Sequence, residues 1–177
     1  FAGNIGKVQN LENIIQSFSK LSSEYSNKAQ LNIIGDGSEL ERLKRLNKNN
    51  NVIFYGRKPR SEMMKYYKAS NFLIVSLINE PIFSVTVPAK LQTYIAAKRP
   101  ILAIINGDAA NIVKDNNLGF VANPADFVGI QNVFIQAIDA KKDLLEKFTK
   151  NCDNLNQNVF NKDIIIDRLL ELTMTKN

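Results

Sequence analysis

The sequence contains no histidine and no tryptophan, and Cys152 is the one cysteine among its 177 residues. A single thiol cannot close a disulfide within the chain, and without histidine or a second cysteine the usual zinc sites cannot be built. No DxD pair of carboxylates is present to hold a divalent cation beside a phosphate. We therefore expect no metal, no cofactor and a reducing compartment, the cytoplasm.

Long hydrophobic runs are also missing. The apolar runs at residues 72–78 and 101–105 are far shorter than the roughly 20 residues that span a bilayer. Hydrophobic content of 45% and charged content of 23% are typical of a globular domain, and the length fits one domain. The sequence begins with Phe1 and shows no signal-peptide pattern, so we expect it to be a piece of a longer protein.

The net charge of +6 admits nucleic acid, an anionic membrane face or a phosphorylated small molecule as a partner. A nucleic-acid surface usually interleaves basic residues with aromatic ones along a strip. Here the basic residues are scattered along predicted helices. We therefore expect no nucleic-acid partner, and the charge alone does not separate the other two.

Short runs rich in Ile, Val and Phe alternate with segments whose apolar residues recur three and four apart, which predicts βα units on a parallel sheet. The fold class is therefore α/β, a doubly wound, Rossmann-like sheet. The predicted helices cover residues 8–23, 40–46, a segment after Ser61 and a segment from Pro88. After Pro124 the pattern is helical to the end, over residues 127–140, a charged stretch at 141–150 and a last amphipathic segment at 161–173. The predicted strands are residues 1–5, 31–34, 51–54, 72–75, 101–105 and 119–121.

Ligands of such sheets bind at the carboxyl ends of the strands. The turns at residues 3–7, 56–59 and 79–90 are therefore the candidate site. In the first turn, glycines let the backbone approach a phosphate, although a GxxG pattern also occurs as a plain tight turn. In the last turn, Lys90 follows Pro88 at a predicted helix start that favours anions. A solvated lysine is the equally open alternative.

Four segments carry a resemblance to a known family. They are FAGNIGKVQNLENII, LNIIGDGSELERLKRL, VIFYGRKPRSEMMKYYKASNFLIV and EPIFSVTVPAKLQTYIAAKRPILAII. In this order and spacing they resemble glycosyltransferase family 4, the retaining nucleotide-sugar transferases of the GT-B fold, over residues 1–140. The sequence is most similar to the bacterial branch that builds surface polysaccharides such as O-antigen and capsule and transfers N-acetylated amino sugars.

The resemblance implies the carboxy-terminal, donor-binding domain of such an enzyme, with a UDP-sugar as its substrate. It implies catalytic roles for Glu80, beside the sugar hydroxyls, and for Lys90, at the diphosphate. Arg57 would stack on uracil. The donor-binding residues implied by the resemblance are Gly3, Asn4, Gly6, Lys7, Gly56, Arg57, Lys58, Ser84, Val85, Pro88, Lys90 and Thr93.

The sequence departs from the family pattern at four positions. Asn4 and Gln9 stand where relatives carry an Arg and a Lys for the diphosphate, and Thr93 stands where many carry a second glutamate. Lys98 replaces the glycine that ends the family's helix, so we expect either a different helix end or a left-handed residue that costs about 1 kcal/mol.

The resemblance also implies partners. An amino-terminal acceptor domain, which is absent here, would bind a glycan or lipid-linked acceptor at the inner face of the plasma membrane. Residues 1–160 would form the donor domain, and residues 161–177 a helix that crosses to the missing domain or lets the fragment self-associate. The isolated domain should bind without turnover. A UDP-N-acetylglucosamine 2-epimerase-like domain and a non-enzymatic doubly wound binding module are the alternatives.

Overall fold

The computed structural model describes residues 1–160 and Ile166 of the chain. Five strands in this part are parallel, and their bounds lie within two residues of the predicted ones. The strands are β1 (Leu31–Ile34), β2 (Val52–Gly56), β3 (Leu73–Ser76), β4 (Ile101–Ile104) and β5 (Gly119–Ala122). β1 pairs with β2, and β4 lies between β3 and β5. The α/β class with parallel pairing is confirmed.

The predicted strand at residues 1–5 is wrong as a regular strand. Only Ala2 forms a bridge, parallel to Ile34 of β1. On its other side Ala2 bonds a side chain and not a strand, because its N–H donates to the Tyr94 hydroxyl (3.2 Å) and its carbonyl accepts from it (3.3 Å). Gly3 then takes a φ of +139°, which leaves the extended conformation. The sheet is therefore divided into a two-stranded and a three-stranded part.

The helices in the described residues are α1 (Leu11–Ser19), α2 (Ser23–Ser26), α3 (Leu40–Leu46), α4 (Met63–Ala69), α5 (Pro81–Ser84), α6 (Ala89–Ala96), α7 (Asp108–Asp115), α8 (Phe127–Ile138) and α9 (Lys142–Asn158). They follow or precede each strand as the βα pattern predicted. The predicted helix at residues 8–23 is shorter, because Asn10 has a left-handed φ of 55° and α1 begins after it. The short helices α2 and α5 and the helix α7 were not predicted.

Two hydrophobic clusters lie on opposite faces of the sheet. Ile74 of β3 belongs to the cluster under α1 and α8, where Phe18 and Phe134 meet edge to face at 5.3 Å. Leu73 and Val75 belong to the cluster under α6, α7 and α9. Burial on both faces explains why these strands are uninterrupted apolar runs.

The predicted crossing helix at residues 161–177 lies, apart from Ile166, outside the described residues and stays a prediction.

No helix of the described part is both long enough and apolar enough to span a membrane.

Lys98 ends α6 in the way that its place in the sequence suggested. Its φ is 54°, the left-handed conformation that glycine adopts without cost. Its ammonium pairs with the Asp153 carboxylate of α9 at 2.9 Å. The helix thus ends at a strained lysine, and a half-exposed ion pair offsets part of that strain.

We predict that Lys98→Gly is more stable than Lys98→Ala by about 1 kcal/mol, because both variants lose the ion pair and only glycine relieves the strain. Lys98→Gly should also equal or exceed the natural chain, since a surface ion pair contributes only about 0–1 kcal/mol. Urea unfolding of the three proteins measures this. Equal stability of the glycine and alanine variants would show that Lys98 is not strained.

Candidate ligand-binding site

The carboxyl ends of the parallel strands meet the turn at residues 3–7 on one edge of the sheet. A cavity of about 430 Å³ lies there, a volume within the range of small-molecule sites. Four predicted site residues line this cavity: Gly3, Asn4, Arg57 and Lys58. The other lining residues are Ala2, Ile34, Gly35, Asp36, Arg60, Met63 and Tyr67. The structure therefore brings the predicted turns at residues 3–7 and 56–59 together at one cavity.

Glycine is required where these turns cross. Gly35 has a φ of +141°, and a Cβ built on it would lie 1.8 Å from the carbonyl oxygen of Gly3. Any larger residue would push the two backbones apart. The floor of the cavity is therefore backbone against backbone, the kind of surface that can approach a bound group closely.

Lys90 does not line this cavity but lies beside Gly3, which does. α6 begins at Ala89, with Pro88 as its N-cap, one position later than predicted. The Lys90 Nζ lies 3.5 Å from the centroid of the Phe1 ring. A Cβ built on Gly3 would lie 2.9 Å from the same Nζ. Burial lowers the pKa of Lys90 to about 7. A half-buried ammonium thus sits beside the glycine turn and at a helix start.

The balance of charge around the cavity is positive. Arg57, Lys58 and Arg60 line it, and the Asp36 carboxylate is the acidic group among its lining residues. One oxygen of that carboxylate accepts the Gly37 N–H at 2.8 Å. An anion with several oxygens suits this arrangement, since it can accept both backbone and cationic donors.

Asn4 and Gln9, the two neutral residues at positions where the family resemblance implies cations, form hydrogen bonds with each other and with the turn. The Gln9 Oε1 accepts the Gly6 N–H at 3.0 Å and the Asn4 amide at 3.4 Å. Gln9 therefore shapes the glycine turn through neutral hydrogen bonds and brings no positive charge to it. Positive charge at this point comes from Lys90, on a different element.

Nine predicted residues do not line the cavity: Gly6, Lys7, Gly56, Glu80, Ser84, Val85, Pro88, Lys90 and Thr93. Glu80 is exposed and is the N-cap residue of α5. The Ser84 hydroxyl donates to the Pro81 carbonyl at 2.6 Å, and the Thr93 hydroxyl donates to the Ala89 carbonyl at 3.0 Å. The segment after β3 is thus placed at the same sheet edge, with its hydroxyls engaged by its own backbone.

Three residues that shape the site were not predicted. Arg60 belongs to the basic run RKPR and lies in a short 3-10 turn, Arg60–Glu62, that directs it to the cavity. Tyr67 and Tyr94 meet edge to face at 5.4 Å behind the turn at residues 3–7. The basic run signalled Arg60, whereas the two tyrosines read as ordinary core residues.

Within the described residues, no cluster of three carboxylate or thiol side chains is placed to hold a metal ion.

The sequence profile of a known family, Glycosyl transferases group 1, matches residues 1–155. A curated relative, the probable glycosyltransferase WbjE of Pseudomonas aeruginosa, is 30% identical over 135 residues. That alignment covers 73% of this chain and 33% of WbjE, so the chain spans about a third of that relative's length.

Solved structures share the fold. A TarM variant of S. aureus, in complex with fondaparinux, alpha-GlcNAc-glycerol and UDP, has a TM-score of 0.78 at 16% identity over 97% of this chain and 34% of TarM. Anabaena Alr3699/HepE, in complex with UDP, has a TM-score of 0.75 at 16% identity over 98% of this chain and 48% of its own.

One similar structure is itself a separate domain. The carboxy-terminal domain of the group 1 glycosyl transferase LpcC from Francisella tularensis has a TM-score of 0.69 at 19% identity, over 90% of this chain and 83% of that domain. The predicted GT-B carboxy-terminal fold is thereby confirmed. With residues 1–155 of 177 matched, the chain belongs to the Glycosyl transferases group 1 family.

Proposed function

We propose that this chain is the donor-binding half of a retaining glycosyltransferase of family 4. It would hold a UDP-sugar, of N-acetylhexosamine type, for transfer to a surface-glycan acceptor. The observation that carries the proposal is the cation-lined cavity at the strand ends, with Lys90 beside the Gly3 turn. The family match supports sugar transfer, and the UDP held by the TarM and HepE structures supports the nucleotide.

The diphosphate would lie between the turn at residues 3–7 and the start of α6. Lys90 occupies the first turn of that helix, where free N–H groups and the helix dipole favour an anion. A cation at this position opposes the dipole unless a phosphate lies between them. The half-buried position of Lys90 therefore favours a role toward a bound anion over a role as a solvated side chain.

The base would lie toward β2. Arg57 and Lys58 follow this strand, and Tyr67 and Met63 of α4 complete the wall of the cavity. A planar guanidinium stacks well on an aromatic ring such as uracil, as we propose for Arg57. Arg60 adds a cation that the sequence comparison did not assign.

The sugar and ribose contacts would come from the segment after β3. The exposed Glu80 is proposed to accept from the sugar hydroxyls. Thr93 already donates its proton to the Ala89 carbonyl, so its oxygen remains as an acceptor for a ribose hydroxyl. This contact is neutral and weaker than the carboxylate contact of many relatives.

The chemistry of this half is the stabilisation of the leaving diphosphate. Negative charge develops on the β-phosphate as the glycosidic bond breaks, and fixed N–H donors and Lys90 would stabilise it without a metal ion. The acceptor would belong to an amino-terminal domain, at the cytoplasmic membrane face. The isolated chain is therefore expected to bind UDP and not to turn over.

Lys90→Ala tests the phosphate contact. We predict a loss of about 1–2 kcal/mol in UDP binding and little loss in uridine binding, because Lys90 is proposed to meet the diphosphate alone. Titration calorimetry with both ligands measures this. Lys114→Ala, an exposed lysine of α7, is the matched control and should leave both affinities unchanged. Equal losses for UDP and uridine would remove Lys90 from the phosphate site.

The pKa of Lys90 also predicts a pH dependence. Burial lowers this pKa to about 7 in the free chain, and a bound diphosphate should raise it again. UDP affinity should therefore be full below about pH 7 and fall as the pH rises through that value. Between about pH 6.5 and about pH 8.5 the natural chain should lose roughly tenfold more affinity than Lys90→Ala. Parallel pH profiles would contradict a titrating Lys90, since the titration of UDP itself is common to both proteins.

Metal removal should have no effect on UDP binding. The proposed donors to the diphosphate are N–H groups and cations, which supply the charge that Mg²⁺ provides elsewhere. Titrations in EDTA and in excess Mg²⁺ should give the same affinity. A saturable increase with Mg²⁺ or Mn²⁺, beyond the complexation of free UDP, would sink the metal-free mechanism.

A further inference from the structure

The segment between β3 and α6, which carries Glu80, has little apolar packing to hold it in place. Residues 77–90 contain no fully buried residue, and Ile82 and Val85 are 70% and 74% exposed. The one helix of this segment, α5, has four residues, and an isolated helix of that length is unstable in water. The position of α5 must therefore come from its contacts with neighbouring elements.

α5 is closed by hydrogen bonds between its own residues. The Phe83 N–H donates to the Glu80 carbonyl at 3.0 Å, and the Ser84 hydroxyl donates to the Pro81 carbonyl at 2.6 Å. These bonds tie the two ends of the short helix together. A displacement of Ser84 would therefore also displace Glu80.

The turn between β4 and α7 contacts both ends of this segment. Gly107 lies against the backbone of Ser84, because a Cβ built on Gly107 would lie 1.8 Å from the Ser84 carbonyl oxygen. The φ of Gly107 is +73°, so a side chain there would be strained as well as obstructed. The side-chain amide of Asn106 donates to the Asn79 Oδ1 at 2.7 Å. Two neighbouring residues thus contact α5 at its last residue and the chain just ahead of its N-cap.

The segment is attached to well-packed parts of the sheet edge on two sides. The β4–α7 turn continues β4, which pairs with a strand on each side, and Ile104 and Ile105 at the end of β4 are buried. On the other side the Ile78 N–H donates to the Val8 carbonyl at 2.9 Å, just after the turn at residues 3–7. α5 is therefore held between the first turn of the site and the β4–α7 turn.

We propose, on the basis of the donor site proposed above, that Asn106 and Gly107 are positioning residues for the donor sugar. They would not touch the sugar. They hold α5 so that the Glu80 carboxylate, at its N-cap, reaches the sugar hydroxyls. Gly107 sets how closely α5 approaches the end of β4, and Asn106 fixes the chain ahead of α5 through Asn79. The effect is confined to the sugar, because Lys90, at the proposed diphosphate, belongs to a different helix.

The test measures the Kd of UDP-N-acetylglucosamine and the Kd of UDP by titration calorimetry. The ratio of the first Kd to the second reports the sugar contacts, because the contacts of UDP itself are common to both ligands. Gly107→Ala displaces Ser84, and Asn106→Ala removes one hydrogen bond and serves as the milder variant should Gly107→Ala fail to fold. Glu80→Ala is the reference, and Glu80→Ala/Gly107→Ala is the double variant.

Gly119→Ala is the matched control. Gly119 has a φ of +155°, and a Cβ built on it would lie 1.9 Å from the Ile101 carbonyl oxygen, so alanine meets the same kind of obstruction as at Gly107. Gly119 and Ile101 are the first residues of β5 and β4, at the amino ends of the strands and away from the proposed site. Gly119→Ala should therefore lower the stability of the chain and leave the ratio of the two Kd values unchanged.

Glu80→Ala should raise the ratio about tenfold, because it removes hydrogen bonds to a charged group. Gly107→Ala should raise it at least about fivefold and Asn106→Ala about threefold, since each leaves the carboxylate in place but moves it from the sugar. The double variant should raise the ratio no further than Glu80→Ala alone, because Gly107 acts through Glu80.

UDP affinity itself should be the same in all of these proteins. If Gly107→Ala and Asn106→Ala keep the ratio of the natural chain, or if the double variant adds the two effects, the positioning role is wrong while the donor site stands. An unchanged ratio in Glu80→Ala would equally overturn it, since Glu80 would then not meet the sugar. A natural chain that binds neither ligand would refute the proposed function, and the positioning role with it.

Discussion

The site depends on how the first residues of the chain are held between β1 and α6. Tyr94 is fully buried, and its hydroxyl both accepts from the Ala2 N–H and donates to the Ala2 carbonyl. On the opposite side the Gly3 N–H bonds the end of β1, where Gly35 has no side chain to obstruct it. These bonds fix the backbone from two directions, so the glycine turn and Lys90 meet at one point although they are far apart in the sequence.

The charges of the chain are distributed in two different ways. Arg42 is neutralised by two carboxylates, Glu12 at 2.7 Å and Glu39 at 2.5 Å, and this pairing ties α1 to α3. Lys90 instead rests on the face of the Phe1 ring, a contact that keeps an ammonium in place without neutralising it. The first arrangement serves the fold. The contact of Lys90 with the Phe1 ring leaves a positive charge beside the Gly3 turn, which is not neutralised by a carboxylate of the described residues. An anion bound there would interact with this charge more strongly than water does.

The fold was predictable where one segment determines its own structure. Buried strands such as β4 are short apolar runs between turn residues, and their predicted bounds lie within two residues of those in the structure. The first strand failed because its regularity needs partners on both sides, and one of those partners is the side chain of Tyr94. α7 was missed because only Ala109, Ala110 and Val113 mark its buried face. Small residues give a weak periodic signal in the sequence, so tertiary packing decides whether such a segment forms a helix.

The site was predictable in its backbone and less so in its side chains. Glycines and prolines locate turns by their own conformational limits, so the segments around Gly3 and Gly56 were found from sequence. The function of Gln9 was not, because only the folded turn shows its Oε1 accepting the Gly6 N–H. A neutral side chain therefore maintains this turn. In the proposed function, the cations that meet the diphosphate come from other elements, Lys90 foremost, and their placement is a property of the tertiary fold and not of a local motif.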